Sequence, residues 1–203
     1  DLLPTYRTVG FVSWRGLLGR IEFVNPHDPD KDDFFVPRVL QTYTLNKLKR
    51  ETAERTFPVK DDGKSVAIFL GLKVVKNGAV AIFCGAKTTV KSICDTINDL
   101  FNRQYDANWP SFYSDASELI KLKNLHHKHF GENHSLTKNC DIGVFAHSSN
   151  TPQGIRLSVE HAMQKDKIKF LVCTSTLAQG VNLPIKYLMV PSFYQAQEKI
   201  KTR

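Results

Sequence analysis

Three short runs hold residue types that bind phosphate. They are Gly85-Ala86-Lys87-Thr88-Thr89, His147-Ser148-Ser149-Asn150-Thr151-Pro152, and Thr174-Ser175-Thr176-Leu177-Ala178-Gln179-Gly180-Val181-Asn182-Leu183-Pro184. A glycine turn frees backbone N–H groups, a lysine adds charge, and hydroxyls and amides donate to phosphate or sugar oxygens. Each run also admits a plainer reading. The first is then a strand-to-helix turn with an exposed lysine. The second is a helix cap by Thr151 or Asn150, and the third an irregular polar connection. A short helical turn closed by Gly180 would set Thr174 on one side of the third loop and Asn182 on the other.

The elements that must position these runs alternate helix and strand. Each run follows a short apolar segment of strand length: Ala79 to Cys84, Ile142 to Ala146, and Ile168 to Cys173. Continuous apolar strands of this kind are buried on both faces. Ala67, Leu70 and Val74 suit a helix that ends before Asn77-Gly78. Val90, Ile93, Cys94, Ile97, Leu100 and Phe101 recur at helical spacing opposite Lys91, Asp95, Asn98 and Asp99. Asp115-x-x-Glu118 resembles a capping box opening a third helix through Leu125. Thr151-Pro152 offers a cap and first-turn proline for a helix with Ile155, Val159 and Ala162 on its buried side. Tyr187 to Val190 is a last strand. From Asp62 the order is helix, strand, helix, helix, strand, helix, strand, strand, which implies an α/β fold with a parallel sheet. Ligands of such sheets bind at the carboxyl ends of the strands, where the polar runs lie. Before residue 60 the chain reads as β. A hairpin pairs the segment around Val9–Trp14 with Arg20–Asn25 across Gly16 and Gly19, and Phe34-Phe35-Val36-Pro37 precedes an ambiguous charged stretch to about Arg55. Residues 1–60 are read as a β-rich linker or extension, and residues 61–203 as the α/β domain.

The 203 residues are 41% hydrophobic and 24% charged, which excludes wholesale disorder, collagen and coiled coil. No run approaches the ~20 apolar residues of a membrane span, so no membrane partner is expected. The four cysteines, Cys84, Cys94, Cys140 and Cys173, form no C-x-x-C pair and lie mostly in apolar segments, so they are read as reduced, buried and cytoplasmic. The net charge of +8 points to an anionic partner such as nucleic acid. The first residue is Asp1 and Lys201-Thr202-Arg203 follows no terminating element, so the chain reads as an excised fragment.

The third run resembles motif V of superfamily II helicases, in the branch with the superkiller-like DExH proteins: Thr-x-Thr-Leu-Ala-x-Gly-Val-Asn-Leu-Pro. Ala81-Ile82-Phe83-Cys84-Gly85-Ala86-Lys87 resembles motif IV. Gly143 to Ser148 resembles the strand that ends in histidines in relatives, and Gly154-Ile155-Arg156-Leu157-x-Val159-Glu160 the helix after it. The resemblance covers about residues 62–203. It implies a RecA-like parallel sheet flanked by helices, the second motor domain of an ATP-dependent helicase, truncated before motif VI. It further implies that Gly85, Lys87, His147, Ser148, Thr174 and Thr176 contact a single strand of DNA or RNA. Gly180 and Asn182 would face ATP, held with Mg2+ between this domain and an N-terminal motor domain of the same chain. DEAD-box relatives carry aspartate where Asn182 stands.

The departures set limits. Gly63-Lys64-Ser65 is no phosphate loop, because Pro58 occupies the position of its first glycine and no apolar strand leads into it. No D-E-x-[DH] run holds magnesium, and the arginines of motif VI would lie beyond Arg203. The fragment alone is therefore expected to hydrolyse no ATP and to carry no bound cofactor. Asp28, Asp30 and Asp32 have calcium-loop spacing but lack its glycine and closing glutamate. His126, His127, His129, His134 and Cys140 match no zinc pattern, so no metal is expected. With Lys121, Lys123 and Lys128 the histidines read as a basic surface. Two alternatives stand beside the motor: a non-enzymatic strand-binding module of degenerate motor fold, and a dinucleotide enzyme, for which the G-x-G-x-x-G turn is missing.

Overall fold

The structure, a computed structural model, describes residues 8–24, 34–175 and 182–192, and the backbone of 194–195 and 198–199. It opens with a hairpin of β1 (Val9–Arg15) and β2 (Leu18–Val24), turned at Gly16, whose φ of +62° suits glycine. The edge strand β3 (Phe34–Gln41) pairs with β2. The sequence pattern carries this strand only as far as Pro37. It continues through Pro37 and Arg38, which sits at φ +56°, with a register shift opposite Gly19 and Ile21. That irregularity erases the period of two that would have revealed it. A two-residue ladder joins β4 (Tyr43–Thr44) to β5 (Thr56–Phe57).

The rest is the expected helix–strand alternation. In order it comprises α1 (Gly63–Val74), β6 (Val80–Phe83), α2 (Lys87–Asn102), α3 (Ala116–Phe130), α4 (Ser135–Ile142), β7 (Val144–His147), α5 (Gln153–Gln164), β8 (Phe170–Cys173) and β9 (Tyr187–Met189). A short ladder, β10 (Tyr194–Gln195) with β11 (Glu198–Lys199), follows. Strands β6 to β9 form one parallel sheet in the order β7-β8-β6-β9. Helix α4 is absent from the sequence reading. It has only 8 residues, is rich in Thr, Asn and Ser, and is capped by a histidine, so neither length nor propensity announces it.

Alternate residues of each central strand feed two core layers. Val80, Ile82, Val144, Ala146, Phe170 and Val172 face α1 and α2, while Ala81, Phe145, Leu171 and Cys173 face α5 and the α3–α4 pair. Helix α1 is buried at every position from Ser65 to Leu72; Trp14 of β1 packs against the core that α1 joins, and a concavity of about 310 Å3 lies between the two elements. The segment between β4 and β5 is clamped to the end of α2. There Arg103, with a side chain 2% exposed, donates to Asp99 at 2.7 Å, to Glu51 at 2.6 and 3.0 Å and to the Asn46 carbonyl at 2.8 Å. The Arg103 guanidinium holds the Glu51 carboxyl down at about 2. Leu40, Leu45 and Phe57 reach from this N-terminal part into the first core layer.

Candidate nucleic-acid interface

Because the central strands are parallel, their carboxyl ends share one rim, and the chain leaves each strand there. Neighbouring exits are tied by backbone bonds: the N–H of Cys84 donates to the Cys173 carbonyl at 2.7 Å, and that of Thr174 to the His147 carbonyl at 3.1 Å. The exits of β7, β8 and β6 therefore lie side by side. Gly85, Lys87, His147, Ser148 and Thr174 are brought to this one edge. Thr176 and Gly180 lie outside the described residues. Asn182 is described and exposed, and leads into Leu183 and Ile185, which pack against the second core layer on the way to β9.

The rim residues differ in what they expose. Lys87 is exposed and Gly85 half-buried. His147, Ser148 and Thr174 are buried, at 1%, 4% and 6% exposure. The His147 Nε2 lies 2.5 Å from Glu160 Oε1 on α5, which ties the β7 exit to the helix after it. The Ser148 hydroxyl accepts from Asn150 N at 3.3 Å. Thr151 does not cap α5 as its sequence suggests. Its hydroxyl turns back to the Ala146 carbonyl, and Pro152 stands at the cap with no side-chain bond. Helix α2 likewise starts from Ala86 without a side-chain cap or an acidic first turn. The amides at both helix starts are left for solvent or an anion.

Two concavities flank the rim. One, of about 340 Å3, lies between Phe83–Ala86, the start of α1 at Asp62–Lys64, and Pro191–Ser192 after β9. The α1 start is not among the site residues that the sequence singles out. It belongs here because Gly63 lets it approach: a Cβ on Gly63 would stand 2.1 Å from the Pro191 carbonyl oxygen. A glycine just inside a helix start is the one signal the sequence carried. The other concavity, of about 200 Å3, is bounded by Lys87, Lys91, Phe130, His134, Ser148 and Asn150 among others. The N-terminal aspartates of calcium-loop spacing lie outside the described residues, and no metal-holding cluster exists among the described ones. His126 is buried on the Leu122 carbonyl, and burial pushes its pKa down. Cys84 and Cys173 pack in the two core layers, and burial pushes their thiols up to about 12.

The parallel sheet of this order, flanked by helices, is that of a RecA-like α/β domain. The chain belongs to the helicase conserved C-terminal domain family, whose model matches residues 63–196. It is similar to the Hachiman protein HamB of Bacillus cereus, at 26% identity over 159 residues, 78% of this chain and 14% of that protein. It is similar to Helicase POLQ-like of Homo sapiens, at 26% over 161 residues, again 78% and 14%. A stretch of 53 residues, 26% of this chain and 7% of that protein, is 36% identical to the ATP-dependent DNA helicase Hel308 of Aeropyrum pernix. The chain thus spans 14% of the length of the first two relatives. Among the described residues no helix is long and apolar enough to cross a membrane.

Proposed function

We infer that this chain is the second motor half of an ATP-dependent helicase or translocase of superfamily II, in its superkiller-like branch, working in the cytoplasm on a single strand of DNA or RNA. The observation that carries the reading is the convergence of the Gly85, Ser148 and Thr174 loops on one sheet edge, in a chain of the helicase C-terminal domain family. Gly85, Lys87, Ser148, Thr174 and Thr176 hold the sugar-phosphate backbone through amides, hydroxyls and one cation. His147 contributes by position, since its ring is buried against Glu160 and keeps the β7 exit in place.

Gly180 and Asn182 face an adenine nucleotide shared with a first motor domain. The residues at the α1 start do not form a phosphate grip of their own. The Ser65 hydroxyl is buried and accepts from the Val59 N–H at 2.7 Å. In this reading the triphosphate and Mg2+ are held mainly by the other motor domain. When bound, the nucleotide supplies hydrolytic free energy. This domain's part is to keep hold of the strand while its distance from the other grip changes, a hinge motion between two states.

Titration of the chain with short labelled DNA and RNA strands tests the grip. Both are expected to bind with little sequence preference, the log of affinity falling linearly with the log of salt concentration. Sequence-selective, salt-insensitive binding, or none, overturns it. In the intact protein Thr174→Ala is expected to lower strand-stimulated hydrolysis about 10-fold, the effect of one hydrogen bond to a charged oxygen, with basal hydrolysis little changed. Equal loss of both removes Thr174 from the coupling role.

A further inference from the structure

The groove beside the β7 exit has a character that a phosphate grip does not explain. Its lips are polar and cationic, with Lys87 and Lys91 one turn apart on α2 facing Ser148 and Asn150. Its floor is apolar, built from Val90, Leu136 and Ala146. Its far wall is a pair of rings, Phe130 and His134, stacked with centroids 4.8 Å apart and planes 17° from parallel. No acidic side chain lines it among the described residues. We propose that this groove is a nucleobase pocket, which takes one base of the strand held along the rim and lays it against the His134–Phe130 ledge. The proposal rests on the reading of the rim as a backbone grip and adds to it what happens to a base.

Size and chemistry favour that occupant. At about 200 Å3 the groove is smaller than the roughly 300–1,000 Å3 of sites that enclose a drug-sized ligand. A free phosphate gains nothing from Val90 and Leu136, and an apolar peptide side chain gains nothing from two lysines. A base carries a flat apolar face and polar edges, and its own phosphate lies one sugar away, within the span from the groove to Lys87. Stacking on aromatic rings is how single strands are held without regard to sequence.

The ledge is also rigid before any strand arrives. The Nδ1 of His134 accepts from the Leu136 N–H at 3.2 Å and caps α4, which fixes the ring and assigns the proton to Nε2. Behind it Phe130 is half-buried against the second core layer, with the buried His126 ring 6.0 Å away and Phe145 a further 5.9 Å inward. Four rings thus run from the groove to the core. A base that docks on a fixed ring orders few protein groups on binding, which favours affinity.

The test replaces His134 by a residue that keeps the cap and removes the ring. Asparagine is among the best N-caps, so His134→Asn is expected to leave the melting temperature close to wild type. Binding is measured for two probes, a short single-stranded DNA and a strand of equal length made wholly of abasic sugar-phosphate units. His134→Asn is expected to weaken the base-bearing strand about 10-fold with an unchanged salt slope, and to leave the abasic strand unaffected. Lys87→Ala is expected to weaken both and to lower the salt slope by about 1. If His134→Asn weakens both probes equally, or neither, the base pocket is overturned while the backbone grip stands. If the wild-type chain binds neither probe, the grip falls and the pocket with it.

Discussion

Helix starts in this molecule fall into two groups. Helices α1, α3 and α4 begin under side-chain caps: Asp62 accepts from Lys64 N at 3.2 Å, Asp115 from Glu118 N at 3.0 Å, and His134 from Leu136 N at 3.2 Å. Helices α2 and α5 begin at Ala86 and Pro152, with no side-chain bond and no acid in the first turn. A cap contributes about 1 kcal/mol, so its omission at two of the five α-helices among the described residues has a cost. The two uncapped helices are the ones entered from β6 and β7, directly at the rim. Lys87, in the first turn of α2, stands where the helix dipole disfavours a cation. Helix stability does not account for either choice. The proposed strand would account for both, because its phosphate would take the place of the missing cap and pair with the lysine.

The largest effect is expected where a cap is installed. Ala86→Asp supplies the missing acceptor and places a negative charge at the amides. Urea unfolding should register a gain of about 1 kcal/mol, while affinity for single strands falls about 10-fold. Stability and binding then move in opposite directions, as expected of a start left open for a ligand. A gain in stability with unchanged affinity would remove the α2 start from the path of the strand.

The matching change among the capped helices is Asp115→Ala, which should act on stability alone. Lys167, whose Nζ lies 2.6 Å from Asp115, holds this carboxyl well below the usual carboxylate range, with help from the Ser117 hydroxyl and the Glu118 N–H. Asp115 in turn raises the Lys167 pKa. A depressed carboxyl stabilises the fold at any pH above its ordinary range and loses that contribution as pH falls through the acid region. Asp115→Ala is therefore expected to lower the melting temperature near neutrality and to flatten its decline on acidification. Strand affinity should not move, because the α3 start lies beside the turn before β8, at the opposite end of the sheet from the rim. A loss of affinity would mean that capping state does not separate binding starts from structural ones.

How much of this was legible in the sequence follows from the range of the forces involved. The central strands and α2 declare themselves because Val80–Phe83, Phe170–Cys173 and the Val90–Leu100 face are local patterns with one dominant period. The polar runs were legible as neighbouring strand exits because each follows such a strand. The course of β3 was not, since Pro37 and the left-handed Arg38 break its alternation and only pairing with β2 restores it. Nor was the burial of His147, which needs Glu160 on the next helix to become a satisfied core group. The Arg103 clamp joins residues more than 50 positions apart in sequence, Glu51 and Arg103, through geometry that no spacing rule encodes. The His134–Phe130 ledge escaped for the same reason: the histidines were legible only as a basic surface until the unforeseen α4 turned one of them into a cap.

The smallest effect is expected at Asp62, and it is the sharpest discriminator because α1 is a capped helix that nonetheless opens beside the rim. Its cap bond to Lys64 is long and exposed, so Asp62→Ala should cost only about 0.5 kcal/mol in urea unfolding. Asp62 also lines the cleft shared with Gly85, Ala86 and Thr89, where its negative charge opposes a phosphate. Removing that charge should leave strand affinity equal or raise it slightly, and more so at low salt, where the repulsion is less screened. Ala86→Asp and Asp62→Ala would then form a pair at adjacent helix starts. Adding an acid to one weakens the strand, and removing an acid from the other does not. A fall in affinity on Asp62→Ala would place Asp62 among the strand's partners, as an acceptor for a sugar hydroxyl, and the division between capped and open starts would no longer mark where the strand runs.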